Sequence, residues 1–169
     1  MSIIKDIIKW ILLFLAVLTI QTTLVPKIAI FGIFPDLPLI LLFVFSIQYG
    51  GTRGIWTGFS LGLLIDVFSA GLLGANALAK TIIGGAAGFF DRKNMFIDPI
   101  FQLIMLLIAV VIHDVIIYLS NHLANSANIF VDLPMFLLVS ALPRAVYTTI
   151  VAVVVFMISD FLSPSKTRR

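Results

Sequence analysis

The chain has 169 residues, 61% of them hydrophobic and only 11% charged, with a mean hydropathy of +1.18. Soluble domains carry about 25% charged residues, so this is the composition of an integral membrane protein with no room for a separate soluble catalytic domain. The lack of cysteine excludes disulfides, thiolate metal sites and cysteine nucleophiles, and the net charge of +3 reads as a topology signal, not as affinity for nucleic acid.

At about 20 residues per span, an all-α chain of this length holds five or six transmembrane helices. The first apolar segment, about 7–25, has Lys5 and Lys9 at its start. It is too long for a signal-peptide core, and Gln21-Thr22-Thr23-Leu24-Val25 is a poor cleavage site, so it reads as a retained span. Pro26 and Lys27 end it. Residues 28–38 are broken by Gly32, Pro35 and Pro38, a pattern of re-entrant segments, and 28–34 are expected to dip into the bilayer without crossing it. A short second span follows at about 36–49, then a Gly50-Gly51 turn. Spans three and four, about 52–68 and 74–90, form a hairpin around Ser69-Ala70-Gly71. Asp91-Arg92-Lys93-Asn94 is a polar loop. Span five is about 97–123, with Asp98-Pro99 suited to a first helical turn. Residues 124–133, with Asn125, Ser126, Asn128 and Asp132, read as the longest polar loop. Span six is about 134–162, followed by a basic tail. The whole is one transmembrane domain.

Basic residues test the count. With both termini cytoplasmic, Lys5, Lys9, Arg53, Arg92, Lys93, Lys166, Arg168 and Arg169 fall inside and Lys27 alone falls outside. A five-span arrangement would put one end's basic residues on the wrong side, so six spans are expected.

The hairpin carries two stripes. Gly54, Gly58 and Gly62 recur every four residues and lead to Asp66; Asn76 and Lys80 lead to Gly84 and Gly88. Spacing of four keeps residues near one helix face, and small residues let helix backbones approach closely. The stripes are expected to pack spans three and four together, with homodimerisation or partner docking as the alternative. Asp66 and Asn76 lie at matching depth, and the long stem of Lys80 can reach back to Asp66, which predicts a buried Asp66–Lys80 pair. Asp114 and Arg144 each lie roughly 14 Å below the outer surface at about 1.5 Å per residue. A charge at the bilayer centre costs at least about 2.5 kcal/mol, so these groups should face inward and pair. Together Asp66, Asn76, Lys80, His113, Asp114 and Arg144 make a polar layer in the outer half of the bundle. Pro143, beside Arg144, frees a backbone carbonyl and suits a kink. Three roles are open to such a layer: ion pairs that fix helix register, a docking surface for a partner's helix, or a transport or ligand site. His113 beside Asp114 leaves a proton relay among them.

No catalytic pattern is present: no HExxH, GxSxG or P-loop, and no GxGD around either intramembrane aspartate. His113 and His122 are not at a metal-ligand spacing, so no metal and no cofactor is expected. The phenylalanines read as lipid-facing bulk, and Trp10 and Trp56 as interfacial anchors.

The order Pro35-Asp36-Leu37, then Gly58-Phe59 with Gly62-Leu63-Leu64 and Asp66, then Ser69 and Leu73-Gly74-Ala75-Asn76-Ala77-Leu78 resembles the MreD family of bacterial rod-shape-determining proteins. The resemblance is concentrated in residues 35–88, with Pro143-Arg144 the strongest feature beyond them. It implies a non-enzymatic role in the cell-elongation machinery of the cytoplasmic membrane. The implied partners are MreC, a bitopic protein, together with the actin-like MreB, the glycosyltransferase RodA and a penicillin-binding transpeptidase. It also implies a fold like the six-helix substrate-binding components of energy-coupling-factor vitamin transporters. Those proteins supply a rival reading, as vitamin binders, but they show an Ala-xxx-Ala pattern in the first span, where this chain has only Ala16. A small proton-coupled transporter is a third reading.

Overall fold

The computed structural model describes residues 2–69, 71–90, 98–125 and 129–162. These residues are helical almost throughout: α1 (Ser2–Thr23), α2 (Leu37–Tyr49), α3 (Gly51–Phe68), α4 (Ala75–Phe89), α5 (Pro99–Asn125), α6 (Ile129–Phe136) and α7 (Leu142–Leu162). Two stretches are long and apolar enough to cross a bilayer, Pro99–Leu123 and Asp132–Phe156, while Ile8–Thr23 and Leu37–Tyr49 are apolar but shorter.

The closest pair is α3 with α4, and glycine makes it so. A Cβ on Gly58 would run into the backbone carbonyl of Lys80, one on Gly62 into that of Asn76, and one on Gly54 into that of Gly84. With no side chain between them the two backbones touch, and helix dipoles and dispersion act at short range. Both stripes are spent on each other, so neither is left to face a second copy of the chain.

The apolar core is built by α2, α4, α5 and α7, with Leu42 and Phe43, Ile83, Leu106 and Val110, and Ala145 and Ala152 all buried. Helix α1 lies outside this core against α2. There Trp10 stacks edge-on to Phe45 and Tyr49, at centroid distances of 5.0 and 5.7 Å, and its Nε1 donates to the Tyr49 hydroxyl at 2.9 Å.

Between α1 and α2 the chain does not form a helix of any length. A single 3₁₀ turn, Val25–Ile28, follows the Thr23 end. Ile30 and Ile33 then exchange backbone hydrogen bonds at 2.9 Å around a tight turn whose tip, Phe31, is fully exposed with φ 51°. Beyond the turn the chain runs inward, so that Pro35 and Asp36 are buried before α2 begins. With 13 residues, α2 is about 20 Å long, well short of a hydrocarbon core of about 30 Å. Its first turn, with Asp36, Pro38 and Leu39 buried, sits inside the bundle and not at a surface.

The last helical run is continuous from Ile129 to Leu162 and contains a π segment, Leu137–Ala141, between α6 and α7. Pro143 explains it. Proline has no N–H to give the carbonyl of Val139, and its ring presses on that carbonyl. The turn widens, and Leu142 N–H reaches back five residues to the carbonyl of Leu137. The expected kink beside Arg144 thus takes the form of a π turn. The loop expected over 124–133 is shorter than the sequence suggested: α5 continues to Asn125, α6 starts at Ile129, and Asp132 stands in the first turn of α6, where a carboxylate offsets the positive end of the helix dipole. The basic residues Arg92, Lys93, Lys166, Arg168 and Arg169, which carried much of the topology argument, lie outside the described residues.

Candidate functional site

Asp36 is the hub of the site. In Pro35-Asp36-Leu37-Pro38 it occupies the N-cap of α2, the position where a short acidic side chain satisfies an otherwise orphaned backbone donor, and Pro38 follows where its missing N–H costs nothing. Its Oδ1 accepts from Leu39 N–H at 2.9 Å, and its own N–H donates to Thr148 Oγ1 of α7 at 3.2 Å. Gln21 of α1 holds the approach, donating to the Pro35 carbonyl and accepting from Leu37 N–H, both at 3.0 Å. The second carboxylate oxygen is left free to meet Lys80.

Lys80, on α4, is 1% exposed. Its Nζ sits 3.4 Å from Asp36 Oδ2, 3.2 Å from Asn76 Oδ1 and 2.9 Å from His113 Nε2. Three acceptors match the three hydrogens of an ammonium group. Because an ammonium can only donate, Nε2 of His113 must accept, which puts the imidazole proton on Nδ1. That nitrogen lies 3.1 Å from Asp114 Oδ1, so a neutral histidine links the two charged pairs. Asp114 Oδ1 in turn takes Arg144 Nη1 at 3.3 Å. The result is one chain of contacts across four helices: Asp36, Lys80, His113, Asp114, Arg144. Within it two carboxylates balance two cations, the condition for keeping charge out of water.

Asp66 departs from expectation. It does not pair with Lys80. Its carboxylate caps α4, accepting from the backbone N–H groups of Gly74, Asn76 and Ala77 at 3.0, 3.1 and 3.0 Å and from Asn76 Nδ2 at 3.0 Å. The reason is local. The N-cap position of α4 is Gly74, in the left-handed region with φ 98°, and glycine has no side chain to cap with. The last turn of α3 supplies the acceptor instead, and the charge of Asp66 is offset by the helix N-terminus in place of a cation. Asn76 still connects the two acids indirectly, donating to Asp66 and accepting from Lys80.

Arg144 lies at the edge of the network. Its side chain is 28% exposed, its guanidinium lies 5.1 Å from the centroid of the Phe34 ring, and its Nε has no protein partner. Beside it is a cavity of about 270 Å³ between the Ile30–Ile33 turn, α5 and the π segment, lined among others by Asp114, His122, Ser140 and Arg144. His122 is turned back on its own helix, with Nδ1 3.0 Å from the Tyr118 carbonyl. No group of three or more metal-ligating side chains occurs among the described residues.

Five of the six residues expected in the polar layer therefore form one connected set with Asp36, and Asp66 joins it through Asn76. Sequence reasoning had Asp36 only as part of the family motif and not as a member of the polar layer, and it missed Gln21 and Thr148. The signal for Asp36 was the shortness of its apolar run, which gives a helix of 13 residues with a cap buried in the bundle. Thr148 and Gln21 carried no such signal. The motif that the resemblance rests on has a structural meaning throughout, since Asp36 caps α2, the glycines join α3 to α4, and Asp66 with Gly74 and Asn76 forms the cap of α4.

Neither a curated protein nor a solved structure matches the chain. The model of the family described as rod shape-determining protein MreD matches residues 1–163, all but the last few of its residues, and the chain therefore belongs to the MreD family.

Proposed function

We propose that this member of the MreD family contributes to rod-shape determination as a non-catalytic scaffold of six transmembrane helices. In this reading it sits in the bacterial cytoplasmic membrane with both termini cytoplasmic. It binds a bitopic protein similar to MreC, and through it the peptidoglycan-synthesis machinery of RodA, a penicillin-binding transpeptidase and MreB. The fold is read as similar to the substrate-binding components of energy-coupling-factor transporters. The observation that carries the proposal is the full engagement of Lys80 at the centre of the network: each of its three hydrogens has an acceptor, and its acid is fixed by a helix cap. A group so fully engaged is suited to locking helices in register; a transport or catalytic group needs a free valence toward substrate. The test is co-purification from membranes. Retention of an MreC-like bitopic protein supports the scaffold, and its absence under conditions that keep the chain folded counts against it. The cavity beside Arg144 favours one other reading, that of a small-molecule binder, which native mass spectrometry of the purified protein would reveal as a bound vitamin-sized ligand.

A further inference from the structure

A groove of about 700 Å³ runs between α1 and α3, floored by α2. One end is basic and aromatic. Arg53 is exposed there, with its guanidinium 5.7 Å from the Tyr49 ring centroid. Trp56 follows one turn along α3, and Lys9, also exposed, precedes Trp10 on α1, at the level fixed by the Trp10–Tyr49 hydrogen bond. Away from this end the walls become apolar, with Phe14 and Leu18 on α1 facing Leu61 and Leu64 on α3. From Arg53 to Leu64 is roughly 17 Å of helix at about 1.5 Å per residue, close to one leaflet's share, about 15 Å, of a bilayer hydrocarbon core.

We propose that this groove is a binding site for an anionic phospholipid. The phosphate lies against Arg53, the glycerol region against the indole and phenol groups, and one acyl chain along the α1–α3 walls. Three features converge on that ligand. The cation that lines the groove, Arg53, stands at one end of it, so the site is complementary to a molecule with a charged head and an apolar tail. The aromatic side chains with polar tips stand between the two, where an amphiphile's interfacial region falls. The floor is pre-formed: Phe45 packs against Trp10, Phe14 and Tyr49 at centroid distances of 5.0, 5.9 and 4.8 Å, so little order has to be gained on binding. A basic recess between membrane helices is a known design for recognising acidic headgroups.

The chain holds two tryptophans, Trp10 and Trp56, and both line the groove, so tryptophan fluorescence reports on lipid at this end of α1 and α3, and the difference between lipids and between variants isolates the groove from the bulk bilayer. The full chain is reconstituted in vesicles containing dibrominated phosphatidylglycerol or dibrominated phosphatidylcholine, diluted into the unbrominated form of the other lipid. One added cation at a membrane surface gives about a fivefold preference, so phosphatidylglycerol should quench with an affinity about five times that of phosphatidylcholine. Arg53→Gln, at an exposed position, should bring the ratio close to one. Ser60→Phe, which fills the groove while leaving Arg53 in place, should do the same. Equal quenching by the two lipids in the unaltered chain overturns the proposal, as does quenching by neither. A preference that survives Arg53→Gln overturns the role of the cation, and one that survives Ser60→Phe reduces the effect to charge attraction without a seated chain, which also overturns it.

Discussion

Replacing Asp36 with alanine removes two things at once. The cap of α2 is lost, at a cost of about 1 kcal/mol, and Lys80 is left as a buried ammonium facing only Asn76 and His113, at a cost of about 3–5 kcal/mol for a stranded charge. The single substitution should therefore cost about 4–6 kcal/mol. Adding Lys80→Met removes the stranded charge and should recover most of the larger part, leaving a coupling of about 3 kcal/mol in a double-mutant cycle. The same cycle on Asp66 and Lys80 should behave otherwise. Asp66→Ala unpairs the backbone donors of Gly74, Asn76 and Ala77, at about 1–3 kcal/mol for each donor left buried, but that loss is indifferent to Lys80, and the coupling should stay below about 1 kcal/mol if Asn76 is its only route. Unfolding of the micelle-bound protein by a denaturing detergent, followed by circular dichroism, measures both cycles. Additive losses for Asp36 and Lys80, or a stronger coupling of Lys80 to Asp66 than to Asp36, would refute the assignment of partners.

Gly58→Ala places a methyl group against the Lys80 carbonyl and should cost about 1–3 kcal/mol as α3 and α4 move apart, whereas Gly85→Ala meets the Ile55 side chain at 3.0 Å, an obstacle that can turn aside. Thermal stability in one detergent should separate the two clearly, and equal losses would contradict the backbone contact. Nitrogen-15 spectra of histidine-labelled protein should show His113 as the neutral Nδ1–H tautomer; an Nε2–H signal would mean that Lys80 is not its donor. Arg144→Met should cost about 1–3 kcal/mol, less than Asp36→Ala, because Asp114 keeps His113 at 3.1 Å and no helix cap is lost; a loss as large as that of Asp36→Ala would place Arg144 at the centre of the network and not at its rim.

The helices were legible because hydrophobic runs and glycine spacing are local properties. The α3–α4 contact follows from the register of Gly54, Gly58 and Gly62 against Gly84, Lys80 and Asn76, and the Asp114–Arg144 approach from counting rise along two long helices. The bounds of α2 were legible too, since a span over about 36–49 was expected and the helix is Leu37–Tyr49, but the burial of its first turn was not. That burial depends on how residues 29–36 fold, and that stretch, with Gln21 and Thr148 holding it, is set by contacts distant in sequence. Asp66 was misjudged for a different reason. An acid within a membrane span invites a search for a cation, but a helix N-terminus serves as well, and the lack of any capping side chain at Gly74 was the clue. The π segment was anticipated only as a kink, since proline dictates that a hydrogen bond is lost but not how the chain re-forms the next one.

The order in which the network's members are synthesised gives it a time course. A chain made from its N-terminus presents Asp36 before Lys80, 44 residues later, so the acid is already in the chain when the lysine is made. Asp114 has only its neighbour His113 until Arg144 arrives 30 residues on. A chain ending after α5 thus holds a carboxylate without its cation, and the final helix brings the arginine that completes the pair. Once α7 has packed, four helices are joined by one continuous line of polar contacts from Asp36 to Arg144.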